Sequence, residues 1–369
     1  MKSTIGEMIS ITIFGESHGK MIGAVIDGIC PGVAIDYKEI QHQLDLRKPR
    51  GRISTARVES DEPLFVSGVV DGHATGTPIC ILFENNNTKS KDYASIKDFM
   101  RPSHADYTAQ MKYLGYQDYR GGGHFSGRLT TAIVAAGAIC NSILKKKGIT
   151  IATHIKRIQQ IEDSSFNTEE MALQQQLNQL NEQYFPVLDE KQGEKMKSYM
   201  EQCANEGDSC GGILESVILG MPAGIGEPMF HSIESVLSHL LFSVPALKGV
   251  AFGLGFDFAN YKGSEVNDSF YYDSNGNVKT KTNNNAGING GISNGMPIVI
   301  KTVIKPTPSI YKEQETINIK TKENVKYQIQ GRHDPAIIHR ARVVVDSMIA
   351  IGLLDLLTQR FGYLWMGEE

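Results

Sequence analysis

Arginine marks where this chain can do chemistry. Arg47, Arg50, Arg52 and Arg57 crowd the segment LRKPRGRISTAR, Arg101, Arg120 and Arg128 lie around glycine-rich turns, and Arg332, Arg340 and Arg342 sit near the last apolar run. A guanidinium offers a planar fork of donors that matches carboxylate and phosphate oxygens, and it keeps its charge when partly desolvated. The basic segment taken alone reads equally well as a solvated face, but the joint pattern favours binding of anionic ligands. Three histidines occupy polar, turn-like contexts: His18 in GESHG, His104 in RPSHADY and His333 in GRHDP. Imidazole exchanges protons near neutral pH, and surrounding arginines would hold its pKa down while keeping phosphate close. Asp334, beside Arg332 and ahead of Pro335, suits either a helix N-cap or a general base, and local spacing favours the cap. The remaining histidines, His42, His73, His154, His231, His239 and His339, lie in no comparable motif and read as hydrogen-bonded structural residues.

Two glycine loops complete the candidate set. YRGGGHFSGR, Tyr119 to Arg128, immediately precedes an apolar helical pattern, so its backbone amides can cradle a phosphate at the positive end of that helix. Without the flanking Arg120, His124 and Arg128 it would read as a plain tight turn. NGGIS, Asn289 to Ser293, repeats the opportunity.

The elements that must position these residues follow from periodicity. Ile9 to Phe14 and Met21 to Cys30 read as strands joined by the turn Gly15 to Gly19, which places His18 in a turn. Asp36-Tyr-Lys-Glu39 reads as a helix start, with Ile40 and Leu44 one turn apart, and Thr77 to Phe83 reads as a strand. Leu129 to Lys147 is an apolar helix that ends in three lysines and Gly148, which complement the helix dipole and supply a C-cap. Asp106 to Leu114 is a helical stretch within an otherwise polar loop. Asp163 to Gly207 has the composition of a peripheral helical arm with no evident chemistry.

A second pattern then repeats the first. The stretch from Gly211 echoes that from Met21 as strand, turn and helix, NGMPIVI echoes TGTPICI, and Ala336 to Leu357 closes the second half as Leu129 to Lys147 closes the first. Two pseudo-repeated halves are expected, approximately 1–150 and 208–369, within a single domain spanning 1–369. The asparagine-rich insertion from Asn267 to Asn284 has no functional reading.

Composition bounds the function. A net charge of −4 argues against a general nucleic-acid binder. Five scattered cysteines with no C-x-x-C pair suggest neither a disulfide framework nor a zinc site, and no metal is expected. The N-terminus lacks a signal peptide's long apolar region, and no uninterrupted apolar run of membrane-spanning length appears, so a soluble cytoplasmic protein without a membrane partner is expected.

In order along nearly the whole chain, FGESHG, RPSHADY, DYRGGG, GDSCGG, MPAGIGEP, KGVAFGLGF, NGGISNGMPIVI, IKPT and GRHDP resemble the motifs of the chorismate synthase family. The resemblance implies an α/β (α+β) architecture, a β-α-β sandwich of antiparallel sheets around central helices, and a homotetramer. It further implies reduced FMN (FMNH2) as cofactor and 5-enolpyruvylshikimate 3-phosphate as substrate. The implied reaction is an anti-1,4-elimination of phosphate and a C6 proton to chorismate without net redox change, in which reduced flavin transiently supplies electron density. Carried over motif by motif, His18 looks like the acid for the departing phosphate, His104 like the residue serving the reduced flavin, and Asp334 like the partner in C6 deprotonation. Arg47 and Arg52 match the family's basic segment, where substrate and a nicotinamide reductant are placed, and Arg128, Arg332 and Arg340 complete the anion site. The implied flavin contacts are His124, Phe125, Ser126, Pro245, Ala246, Gly290, the run Lys305, Pro306, Thr307, Pro308 and Ser309, and Arg332. The chain departs from the commonest pattern in reading GGGHFSGR for GGGRSSAR, KPRGR for RPG-x-S and KPTPS for KPTSS. The first change replaces a permanent charge by a titratable ring. Rival readings are another flavin- or phosphate-dependent lyase of related fold, or a non-catalytic polyanion-binding module.

Overall fold

Side-chain alternation builds the first sheet. In Met21–Asp27, Ile22, Ala24 and Ile26 are fully buried, and in Ile79–Glu84 the residues Ile79, Ile81 and Phe83 are buried likewise. A period of two therefore turns one apolar face inward. A computed structural model of the chain describes residues 3–51, 53–54, 59–86, 97–329 and 334–367. The first sheet contains β1 (Thr4–Ile5), β2 (Ser10–Gly15), β3 (Met21–Asp27), β4 (Leu64–Ser67) and β5 (Ile79–Glu84), in the order β1-β2-β3-β5-β4. The second contains β6 (Thr150–Ile158), β7 (Ile161–Glu162), β8 (Gly212–Leu219), β9 (Leu247–Phe252) and β10 (Ile298–Ile304), in the order β9-β10-β8-β6-β7. Every pairing in both sheets is antiparallel.

The helices longer than one turn lie both between the sheets and outside them. In chain order they are α1 (Tyr37–Arg47), α2 (Asp106–Lys112), α3 (Thr130–Lys146), α4 (Glu170–Glu182), α5 (Glu190–Asn205), α6 (Ile233–Leu241) and α7 (Ile338–Phe361). The expected start of α1 is present: Asp36 accepts the backbone N–H of Lys38 and of Glu39, each at 3.0 Å. The expected end of α3 is present too, closed by N–H bonds from Gly148 to Lys145 O and from Ile149 to Leu144 O. α3 packs on β3 and β5, while α7 packs on β6 and β8, and α3 and α7 pack on each other. They cross at Gly137, where a Cβ would lie 2.3 Å from Ser347 Cβ. The result is the expected β-α-β sandwich. Among the described residues, Gly127–Lys146 is long and apolar enough to cross a membrane, but it is mostly buried as this central helix.

The repeat read from sequence is a repeat of topology. The order β2-β3-β5-β4 is matched by β6-β8-β10-β9, α1 by α6 and α3 by α7. Even the small hairpin Val69–Val70/His73–Ala74 has its counterpart in Ile288–Asn289/Ile292–Ser293. The second copy opens at Thr150 and not near residue 208 as the sequence pattern suggests, because the helical arm enters between its first and second long strands. The arm is not merely peripheral: Leu173, Leu177 and Leu180 of α4 cover Ala152, Val217 and Leu219 on the outer face of the second sheet.

Two buried ionic features tie distant parts together. His154 on β6 is fully buried, with Nδ1 2.7 Å from Asp163 Oδ2 at the base of the arm and Nε2 3.1 Å from Glu215 Oε2 on β8. Burial alone would depress its pKa, but the two carboxylates outweigh it and raise it. On α7, the Asp355 carboxylate accepts the backbone N–H of Glu7, Met8 and Ile9 at 2.7 to 3.1 Å, just ahead of β2.

Candidate active site

The glycine loop is the hub. Gly121, Gly122 and Gly123 all have positive φ, and the loop lies on the turn between β2 and β3: Ser17 N–H donates to Gly123 O at 3.1 Å and His124 Nδ1 is 2.8 Å from Gly15 O. A Cβ on Gly121 would fall 2.2 Å from His18 Cε1, so no other residue fits between the loop and that ring. One residue on, a Cβ on Gly122 would be 3.7 Å from His104 Cε1. Two of the three histidines singled out from sequence thus flank neighbouring glycines.

His104 is held by a residue that sequence reasoning gave no role. Its Nδ1 is 2.8 Å from Asp106 Oδ1, and Asp106 also takes two bonds of 2.7 Å from Arg101, through Nε and Nη2. Burial would raise the Asp106 pKa, but Arg101 and His104 hold it far below the usual carboxylate range. An ionised Asp106 keeps the proton on His104 Nδ1 and leaves Nε2 as the atom that gains or loses one. Burial depresses the His104 pKa, and Arg101 and Lys305 add to this against the opposing pull of Asp106.

Beside His104 a cleft is lined by Phe99, Arg101, Tyr119, Gly122 and Phe125. Lys305 Nζ donates to Ser103 O at 2.7 Å and Arg101 Nη1 to Ser309 Oγ at 3.4 Å, while Lys305 N–H donates to Ala246 O at 2.9 Å. Pro245–Ala246, Lys305–Ser309 and the loop carrying Phe125 and Ser126 therefore border one region. Aromatic walls, a histidine and a lysine at one edge are the donor set that a planar ring bearing a phosphate requires, so these residues fit FMN. Gly290 does not join them. It lies in the hairpin ahead of β10 whereas Lys305 follows that strand, a separation of about 20 Å at 3.3 Å per residue.

On the far side of the loop a second cluster is built around Asp61, which sequence reasoning missed. Arg47 at the end of α1 donates from Nη2 to Asp61 Oδ2 at 3.0 Å and from Nη1 to Thr130 Oγ1 at 3.2 Å. Arg128 Nη1 meets Asp61 Oδ1, Nε donates to Asn85 Oδ1 at 2.9 Å and Nη2 to Glu84 O at 3.0 Å. All three charged side chains are buried. Two guanidiniums around one carboxylate leave the cluster net positive, which suits an anion. Arg340 lies close enough to repel Arg47, and its Nη2 is 2.5 Å from Asp334 Oδ1. Thr307 Oγ1 donates to Asp334 O at 2.6 Å, linking this cluster to the run Lys305–Ser309. Arg52, Arg57, Arg332 and His333 lie outside the described residues.

Asp106 carried a signal, standing two residues after His104 in the same motif. Asp61 carried none: its partners are 14 and 67 residues away.

The chain and its fold have close counterparts. The family model described as chorismate synthase matches residues 9–358. The chain is 47% identical over 350 residues to a chorismate synthase of Pyrococcus abyssi, covering 95% of this chain and 96% of that protein. It is 46% identical over 356 residues to one of Lachnoclostridium phytofermentans, covering 96% and 95%. A solved structure titled as a chorismate synthase crystal structure superposes with a TM-score of 0.75 at 27% identity, covering 97% of this chain and 94% of that one. The molecule is accordingly an enzyme of the lyase class acting on a small molecule. The chain belongs to the chorismate synthase family.

Proposed function

We propose that the chain converts 5-enolpyruvylshikimate 3-phosphate to chorismate, the last step of the shikimate pathway, by anti-1,4-elimination with reduced FMN bound and no net redox change. The observation that carries this reading is the glycine loop, which packs His18 and His104 against adjacent residues while its continuation anchors Arg47 and Arg128. Reduced FMN, when bound, supplies the electron density that eases loss of phosphate. Phe125 and Ser126 with His124, Pro245–Ala246 and the run Lys305–Ser309 would hold it, with Lys305 as the cation available to an anionic group. Gly290, a strand's length away, would reach that flavin only from a second copy, in keeping with the homotetramer expected of a single-domain, cytoplasmic enzyme of this kind.

The chain's own groups then divide the work. Arg47, Arg128 and Arg340 attract the carboxylates and phosphate, with Arg52 and Arg332 expected to join them. His18 gives a proton to the departing phosphate, His104 holds or moves a proton at Nε2, and Asp334 assists removal of the C6 proton. The test is anaerobic: purified protein, chemically reduced FMN and the substrate, with chorismate followed by absorbance and phosphate by a release assay. Stoichiometric appearance of both is expected, and absence of both overturns the reading.

A further inference from the structure

The basic segment after α1 is tied back to that helix by Lys48 Nζ and Arg50 Nη2, which donate to Asp45 at 2.8 and 2.9 Å, while Arg50 and Ser54 also share one hydroxyl. Arg50 N–H donates to Tyr184 Oη at 2.8 Å, Ser54 Oγ is 3.3 Å from the same oxygen, and the Arg50 guanidinium lies over the Tyr184 ring at 4.8 Å. Ser54 Oγ is also 2.9 Å from His339 Nε2, and the Tyr184 and His339 rings meet edge to face at 5.2 Å. His339 is the second residue of α7, directly before Arg340.

Tyr184 belongs to the arm, in the turn after α4, and that turn is fastened to the centre of the molecule. Arg342 of α7, almost fully buried, donates from Nη2 to Gln183 O at 2.7 Å, Asn181 Nδ2 donates to Ile151 O at 3.0 Å, and Ile155 N–H donates to Pro186 O at 2.8 Å. Arg342 is neutralised within α7 by Asp346, 3.3 Å from Nη1, which leaves Nη2 to hold the Gln183 carbonyl and so fixes the position of that turn. His339 cannot act as a switch here, because burial and then Arg340 push its pKa down to about 3. It is a neutral hydrogen-bonding partner throughout the working range.

We infer that Tyr184 is a positioning residue, through which the helical arm holds the basic segment in register with the start of α7 for binding the anionic substrate. The inference rests on the proposed function for the identity of that substrate. It gives the arm a role that neither its composition nor its distance from the histidines suggests.

The test uses the full chain with Tyr184→Phe, which removes the hydroxyl but keeps the ring beneath Arg50. With reduced FMN, the KM for 5-enolpyruvylshikimate 3-phosphate rises about five- to tenfold, the value of one or two neutral hydrogen bonds, while kcat stays within about twofold and flavin affinity is unchanged. Ser54→Ala also raises KM, and the double variant falls short of the product of the two single effects, since the bond between the two hydroxyls is shared. A readout independent of activity is the rate of trypsin cleavage after Arg50 in the native, ligand-free protein, which rises at least about threefold in Tyr184→Phe if the segment is released locally. An unchanged KM or an unchanged cleavage rate overturns the inference, as does a rise in KM accompanied by parallel losses of kcat and thermal stability. Faster cleavage in a protein that makes no chorismate instead overturns the proposed reaction and keeps the positioning role.

Discussion

Replacing Asp61 by Asn tests the electrostatic core of the site. The substitution preserves shape and removes the only charge that Arg47 and Arg128 share among the described residues. Removing one partner of a buried ion pair costs about 3–5 kcal/mol because the remaining charges stay buried. At about 2 °C per kcal/mol for a large chain, the Tm should fall by about 6–10 °C near neutral pH. The pH dependence fixes the mechanism. Burial raises the Asp61 pKa, but the two arginines outweigh it and hold the carboxyl below its usual range. A group whose folded pKa is depressed stabilises above its unfolded pKa of about 3.9, and that contribution is lost as pH falls through the folded value. The gap between wild type and Asp61→Asn is therefore full near neutrality and closes below about pH 4. Inorganic phosphate should raise the Tm of the variant more than that of the wild type, since the freed guanidiniums can accept an anion; at about ten times its dissociation constant the effect is about 1.4 kcal/mol. Differential scanning fluorimetry across pH and phosphate concentration reads all of this. A gap under about 1 kcal/mol near neutrality, or one that persists unchanged into acid, would show that Asp61 is not the ionised counter-charge.

Gly121→Ala drives a methyl group into the His18 ring at a positive φ, so kcat should fall at least about a hundredfold, the share of a proton-transfer group; turnover within about threefold of wild type would remove His18 from that role. Asp106→Asn takes away a group that raises the His104 pKa, so the alkaline decline in kcat moves to lower pH, and an unmoved profile means that His104 does not titrate in turnover. His154→Gln tests the arm's attachment. A group with a raised folded pKa stabilises fully below its unfolded value of about 6.5 and loses that contribution as pH rises through the folded one. The Tm gap to wild type is thus widest near about pH 6 and narrows in alkali, and a gap that widens with pH contradicts a charged His154.

What could be read without coordinates was local. The cap at Asp36, the end of α3 at Gly148 and the three glycines between Tyr119 and His124 depend on residues a turn apart, and all appear as expected. The repeat was legible because each half restates the same strand, turn and helix. Asp61 and Tyr184 were not, since each acts on partners brought near only by packing, Arg128 at 67 and Arg50 at 134 residues' distance. His154 reads from sequence as a structural hydrogen-bonding residue, and its two carboxylate partners bear that out. Gly290 shows the reverse case, a motif residue that follows the family's order along the chain yet sits a strand's length from Lys305.

The carboxylate that receives Glu7, Met8 and Ile9 stands 346 to 348 positions further along the chain. During synthesis, β2 and β3 leave the ribosome long before that acceptor exists. The bonds of the opening turn to Asp355 can close only after α7 has been made. The first half of the molecule is written early and finished last, so the order of translation runs against the order in which its contacts close.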